Sequence, residues 1–172
     1  MGYQKISGFD YSERAIKDSK ENILWLSDEF GCDISGVNFQ KVDVRELDGN
    51  IKNVDAIITE PYLGPPARHG RTIRDIEKII NELTDLYKRA FDNFKNILKP
   101  SGMVVIIFPV FVEKNNFNFM PIDKIVDMNF FEKIIIIPTE LQNIYSLSKR
   151  KTLVYGRSYQ KVQREIIVLR RK

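Results

Sequence analysis

The run Val54-Asp55-Ala56-Ile57-Ile58-Thr59-Glu60-Pro61-Tyr62-Leu63-Gly64-Pro65-Pro66 decides how the chain is read. Its first six residues are apolar and β-branched enough for a short buried strand. An acid, a proline and an aromatic ring follow in direct succession. Proline fixes its own φ and has no N–H, so the strand is predicted to end at Thr59 and the chain to turn. A carboxylate, backbone carbonyls and an aromatic face then gather at the carboxyl end of a strand, where open α/β sheets bind their ligands. Such a cluster can stack a planar nitrogenous ring while its oxygens accept from an exocyclic amine. An ordinary strand-end turn would use the same residues, so the neighbouring elements must decide.

Upstream, Gln4 to Phe9 is predicted to be extended and to end at Asp10. Ser12 suits a helix N-cap, Ile16, Ile23, Leu26 and Phe30 recur at helical spacing, and Gly31 closes the helix. A second strand, Val37 to Val42, runs into Asp43-Val44-Arg45, and Asp48, Gly49 and Asn50 form a turn. Downstream of the Gly64–Gly70 loop, Ile73, Ile76, Ile80, Leu83, Tyr87, Ala90, Phe94 and Leu98 trace one face of a long helix. Pro100-Ser101-Gly102 is predicted to stop it. Met103 to Phe108 reads as a strand covered on both faces. A short helix over Ile122–Met128 and strands over Phe131–Ile137 and Arg164–Leu169 complete the pattern, and Thr152–Tyr155 fits a further short strand. Alternating strands and helices predict one α/β domain over residues 1–172, a parallel sheet with helices on both faces and an antiparallel hairpin at one edge.

The 172 residues, 43% hydrophobic and 29% charged, suffice for one real core. A single cysteine, Cys32, and a single histidine, His69, exclude an internal disulfide framework and any cysteine-rich or multi-histidine metal centre. No apolar run reaches the ~20 residues that span a bilayer, and no signal-peptide pattern opens the chain, so a cytoplasmic setting without membrane is expected. Net charge is +4, yet Lys149 to Lys172 holds nine basic residues against the single acid Glu165. A basic end on a mildly acidic body suits a polyanion, although a merely solubilising tail has the same composition.

Asp10, Asp43 and Glu60 each follow one of three successive strands, so in one parallel sheet they would line a single edge. An acid after the second strand of a nucleotide-binding fold commonly takes a ribose diol. Tyr11 is placed to lie against a purine. Asp43 is placed to accept from its amine, with the Val44 backbone at the ring edge. Asp10 capping its helix and Asp43 capping its turn are the structural alternatives.

Gly8-Phe9-Asp10-Tyr11-Ser12-Glu13-Arg14-Ala15-Ile16, Asp43-Val44-Arg45-Glu46-Leu47, Thr59-Glu60-Pro61-Tyr62-Leu63-Gly64 and the closing Gln163–Leu169 together resemble class I S-adenosylmethionine-dependent methyltransferases. Among these the chain is most similar to nucleic-acid amino-methyltransferases, especially the tRNA guanine-N2 group, which often carries an N-terminal THUMP domain for RNA. The resemblance implies S-adenosyl-L-methionine as cofactor, held by Asp10, Tyr11, Asp43, Val44 and Glu60. It also implies tRNA as substrate, and Glu60, Pro61 and Tyr62 as the catalytic cluster. Arg68, Arg71 and Arg74, beside His69, are placed to meet phosphates, or simply to form a solvated loop.

Two departures accompany the resemblance. The family's usual Asp/Asn-Pro-Pro-Tyr becomes Glu60-Pro61-Tyr62-Leu63, so Tyr62 stands at the second proline and Leu63 at the aromatic. The family's first strand and glycine-rich loop should lie upstream of Asp10, where only nine residues precede it. With a family sheet ordered 3-2-1-4-5-7-6, the chain is expected to be N-terminally truncated. Two strands would then lie on one side of a gap and four on the other, and the chain alone would bind cofactor weakly and be inactive. A DNA adenine-N6 methyltransferase shares the amine chemistry, and a non-catalytic nucleic-acid-binding remnant would need only the basic end. An NAD-binding domain is disfavoured because no Gly-x-Gly-x-x-Gly occurs.

Overall fold

A computed structural model describes residues 4–47, 49–66, 71–114, 116–135, 137–142 and 147–172. They form two compact units, one ending at Asn50 and one spanning Ile51–Lys172, each with its own sheet.

In the first unit, β1 (Ile6–Asp10) and β2 (Val37–Lys41) pair in parallel, with Gly8 opposite Phe39 and Asp10 opposite Lys41. Between them runs α1 (Glu13–Phe30). Ser12 accepts from the Ala15 N–H at 3.3 Å, satisfying one donor of the first turn. Gly31 ends the helix at φ 63°, the left-handed conformation that glycine adopts without a Cβ clash.

In the second unit the sheet order is β3-β4-β8-β6, built from β3 (Val54–Thr59), β4 (Leu98–Glu113), β8 (Val162–Arg171) and β6 (Phe131–Ile134). β3 and β4 are parallel, whereas β8 runs antiparallel to both β4 and β6. The expected hairpin is therefore present with its last strand inside the sheet rather than at its rim. Two short strands add to it: β5 (Asn116–Phe119) on β4, which the sequence reading missed, and β7 (Leu153–Tyr155) on β8. The two sheets match the two-strand and four-strand sets of the expected order.

A 25-residue helix, α2 (Ile73–Ile97), supplies most of the second unit's core. Thr72 and Asp75 form a reciprocal capping box at its start. Its buried stripe holds Ile76, Ile79, Leu83, Tyr87, Ala90, Phe91, Phe94 and Ile97. Ile79 and Phe91 thus replace Ile73 and Ile80 of the predicted face. Phe91 lies edge-on to Phe94, Phe108 and Phe131 at centroid distances of 5.3, 6.4 and 5.5 Å, and Tyr87 stacks on Phe108 at 5.2 Å.

Three further expectations need correction. Leu98 already belongs to β4, and Pro100-Ser101-Gly102 lies inside that strand's irregular start, where Ser101 takes φ 62° and the β3 register shifts. Along β4, Val104, Ile106, Phe108 and Val110 are buried while Met103, Val105 and Ile107 are half-buried, so one face alone is fully covered. β3 has one sheet neighbour, and Ile58 is 77% exposed, so it is an edge strand and not a buried one. The short helix over 122–128 contracts to α3 (Ile122–Ile125). No helix among the described residues is long and apolar enough to cross a membrane.

Candidate functional site

Glu60 leaves β3 directly, and the loop it opens is held at three points. The Tyr87 hydroxyl donates to the Tyr62 carbonyl at 2.7 Å. Gly64, at φ 96°, lies so close to α2 that a β-carbon there would sit 3.0 Å from Ile79 Cγ2 and 3.6 Å from the Phe111 ring. A side chain at that position would be both crowded and strained. The Arg71 guanidinium donates to the Pro65 carbonyl. With its carbonyl tied to the helix, the Tyr62 ring is 60% exposed and free to meet a ligand.

The Glu60 carboxylate accepts from Arg164 Nε at 2.7 Å, a partner from β8 that the sequence reading did not foresee. Burial raises the Tyr87 hydroxyl well above the usual phenol range, and the negative charge of Glu60 adds to that rise. Tyr87 therefore stays a neutral donor. Several other basic residues of the C-terminal stretch are also tied down. Arg170 pairs with Glu132 at 2.6 Å, Arg171 donates to the Leu98 carbonyl, and Arg150 donates to the Met120 carbonyl at 2.9 Å over the Phe119 ring. Much of the basic end thus holds the fold together instead of forming a free tail for a polyanion.

In the first unit, parallel pairing brings the carboxyl ends of β1 and β2 side by side, as expected. There Tyr11, Lys41, Val42, Asp43, Glu46 and Asn50 line a cavity of about 380 Å³. The Tyr11 ring is 74% exposed. Asp10 lies beside this edge with one oxygen accepting the Ser12 N–H at 2.7 Å, an Asx turn ahead of the helix, whose capping residue is Ser12 and not Asp10. Asp43 also caps, accepting the Arg45 N–H at 2.9 Å, and its oxygens take Arg45 Nε and Nη2 as well. These hydrogen bonds from Arg45 hold the Asp43 carboxyl down at about 2. Arg45 thus places four hydrogen bonds on the carboxylate, two on each oxygen, against roughly four acceptor sites. Val44 opens the 3-10 turn that follows.

In the second unit, Arg71 and Arg74 both line a cavity of about 760 Å³ at the start of α2. The predicted contact Arg68, with His69, lies outside the described residues. Among the described residues no group of three or more His, Cys, Asp or Glu side chains is placed to hold a metal ion.

No protein-family model matches the chain, and no curated protein does. Solved structures do match it. NSun6 from Pyrococcus horikoshii, solved with SFG, is similar at TM-score 0.63 and 20% identity, over 98% of this chain and 41% of that one. TrmN from Thermus thermophilus is similar at TM-score 0.56 and 16% identity, over 98% of this chain and 36% of that one. N-methyltransferase NodS from Bradyrhizobium japonicum WM9, in complex with S-adenosyl-l-homocysteine, gives TM-score 0.54 and 13% identity over 97% and 66%. What the chain shares with them is a fold, the Rossmann-like α/β arrangement of methyltransferases. It spans less than half the length of NSun6 or TrmN.

Proposed function

We propose that the chain serves S-adenosylmethionine-dependent methyl transfer to an exocyclic amine of a nucleic-acid base, guanine N2 in tRNA. One observation carries this reading: a carboxylate, a proline carbonyl and an exposed aromatic ring leave one strand end on a loop pinned by Tyr87, Gly64 and Arg71. The fold it shares with a methyltransferase solved around S-adenosyl-l-homocysteine supports the choice of cofactor.

The first unit's cavity fits the adenosine part of that cofactor in chemistry. Tyr11 offers a ring face for the purine, Asp43 a carboxylate that takes the amine by giving up a contact with Arg45, and Asp10 an exposed carboxylate beside the same strand ends. When bound, the cofactor supplies an electrophilic methyl on a sulfonium. The acceptor amine is a poor nucleophile, because its lone pair is delocalised into the ring. Glu60 and the Pro61 carbonyl accept its two hydrogens, which moves the nitrogen toward tetrahedral geometry and aims the lone pair. Arg164 fixes the Glu60 rotamer, and much of the acceleration comes from such orientation. The base must leave its stack, and stacking on Tyr62 offsets part of that cost.

Methyl incorporation into tRNA against duplex DNA, followed by nucleoside digestion, tests the reading. With the chain extended at its N-terminus into a form that titrates with S-adenosylmethionine, label in a guanine amine of tRNA supports it; label confined to DNA adenine, or absent from both, overturns it.

A further inference from the structure

The cavity at the start of α2 has a composition that the methyl-transfer chemistry does not require. Arg71 and Arg74 reach it from the helix start, Lys114 from the β4–β5 turn, and Lys161 from just before β8. Three separate segments thus converge four cations on one concavity. The single acid in its lining, Glu113, lies 3.7 Å from Lys114 and is mostly buried. Asp75 nearby is occupied by the capping box, where Thr72 donates to it from its N–H and its hydroxyl at 2.9 and 2.7 Å.

Arg71 carries the most specific signal. One end of its guanidinium holds the Pro65 carbonyl, and its plane lies 5.7 Å from the Phe111 ring centroid. Its Nη1 is buried and has no hydrogen-bond partner among the described residues. A buried charged donor left unpaired is costly, and turning the guanidinium toward the cavity would let an anion oxygen relieve it. The α2 N-terminus at the same wall is the positive end of the helix dipole, although the Asp75 N–H there is already taken by Thr72. The volume, about 760 Å³, lies in the range of ligand clefts.

The cavity shares its walls with the Glu60 loop. Phe111 lines it and also packs against Gly64, while Arg71 holds Pro65. An anion seated there is therefore next to the loop that presents Tyr62. We infer that this cavity seats the phosphates of a single nucleic-acid strand whose neighbouring base is offered to Glu60 and Tyr62. The inference rests on the proposed methyl-transfer reading and assigns its substrate-binding surface, adding Lys114 and Lys161 to the two arginines.

The test is fluorescence anisotropy of a short labelled single-stranded RNA with the 172-residue chain across a salt series, for wild type and for Lys114→Gln/Lys161→Gln. Both lysines are surface residues, and an unchanged melting temperature verifies that the variant folds. Removing two phosphate contacts should weaken binding at least about tenfold at low salt and lower the salt slope by about 1.4, at ~0.7 per phosphate for single strands. Unlabelled inorganic phosphate should compete far less well than unlabelled RNA at equal phosphate concentration. Wild-type affinity and slope in the variant would overturn the inference, as would a wild type that fails to bind RNA, or equal competition by inorganic phosphate. RNA binding as stated, together with no methyl transfer from a chain extended by a first strand and glycine-rich loop that titrates with S-adenosylmethionine, supports the phosphate seat and overturns the methyl-transfer reading alone.

Discussion

Arg164 on β8 donates from Nε to Oε1 of Glu60 at 2.7 Å, joining positions 104 residues apart. Both side chains are partly exposed, so the pair is worth at most about 1 kcal/mol of stability. Its importance lies in position: it limits the orientations of a carboxylate that otherwise swings on two methylenes. Arg164→Ala is expected to lower kcat about tenfold while leaving cofactor affinity and melting temperature near wild type. Arg164→Lys, which keeps the charge but loses the fixed fork, should restore only part of the rate. Steady-state kinetics on both variants, in a chain extended by a first strand and glycine-rich loop, checks this.

Tyr87→Phe deletes one hydroxyl and keeps the ring stacked on Phe108. The Tyr62 carbonyl then loses its donor, at a cost of about 1 kcal/mol. Amide hydrogen exchange in residues 60–66 should quicken, with little change in the α2 interior. Because burial and the charge of Glu60 raise the Tyr87 phenol, it should also be the last tyrosine to ionise in an alkaline titration of the folded chain. Tyr87→Phe should remove that late step.

Asp43 is held at about 2 by Arg45, below its ordinary value of 3.8. A depressed acid contributes stability that is fully present above its unfolded value and lost as pH falls through the folded one. The Asp43 contribution is therefore complete above about pH 4 and disappears toward pH 2. Arg45→Ala should move the Asp43 carboxyl titration, followed by NMR, back up toward its ordinary value.

Glu165 gives the opposite sign. It is fully buried on β8, with Oε1 accepting from Thr152 at 2.5 Å, while Oε2 has no hydrogen bond among the described residues and the Arg150 guanidinium 3.9 Å away. Burial raises its carboxyl, and Thr152, Arg150 and Lys133 only partly counter that rise. Its favourable contribution is complete below the model-peptide value of 4.5 and is lost as pH climbs through the raised folded value. Glu165→Gln keeps an acceptor for Thr152 and removes the titration. Its stability relative to wild type, read from urea midpoints, should therefore increase from pH 5 to pH 8.

Local chemistry was legible in the sequence, and long-range partnership was not. Ser12 and Gly31 bound α1, and β3 stops at Thr59, because capping geometry and a proline act within a few residues. Arg164 and Tyr87 reach Glu60 and Tyr62 through sheet order and helix packing, which periodicity does not encode. A helix advances 100° per residue, so Ile79 and Ile80 compete for one stripe and packing against the sheet decides between them. β3 looked buried because an apolar edge strand and an apolar central strand have the same composition. Pro109 disguised the length of β4: it lies inside the strand opposite Arg164, where a sequence reading ends at Phe108. Of the residues expected around the first unit's strand ends, Tyr11 and Asp43 line the cavity there while Asp10 and Val44 do not, and the engagement of Asp43 by Arg45 was not foreseen.

The most direct measurement uses the chain extended at its N-terminus by a first strand and glycine-rich loop of the methyltransferase kind, in a form that titrates with S-adenosylmethionine. Tritiated methyl transfer to tRNA is then compared between Glu60 and Glu60→Ala. The account predicts label in an exocyclic base amine, a loss of at least about a thousandfold in kcat for Glu60→Ala, and cofactor affinity within a few-fold of the parent. Transfer by Glu60→Ala at the parental rate, or label on a ring carbon or ribose instead of an amine, would contradict it.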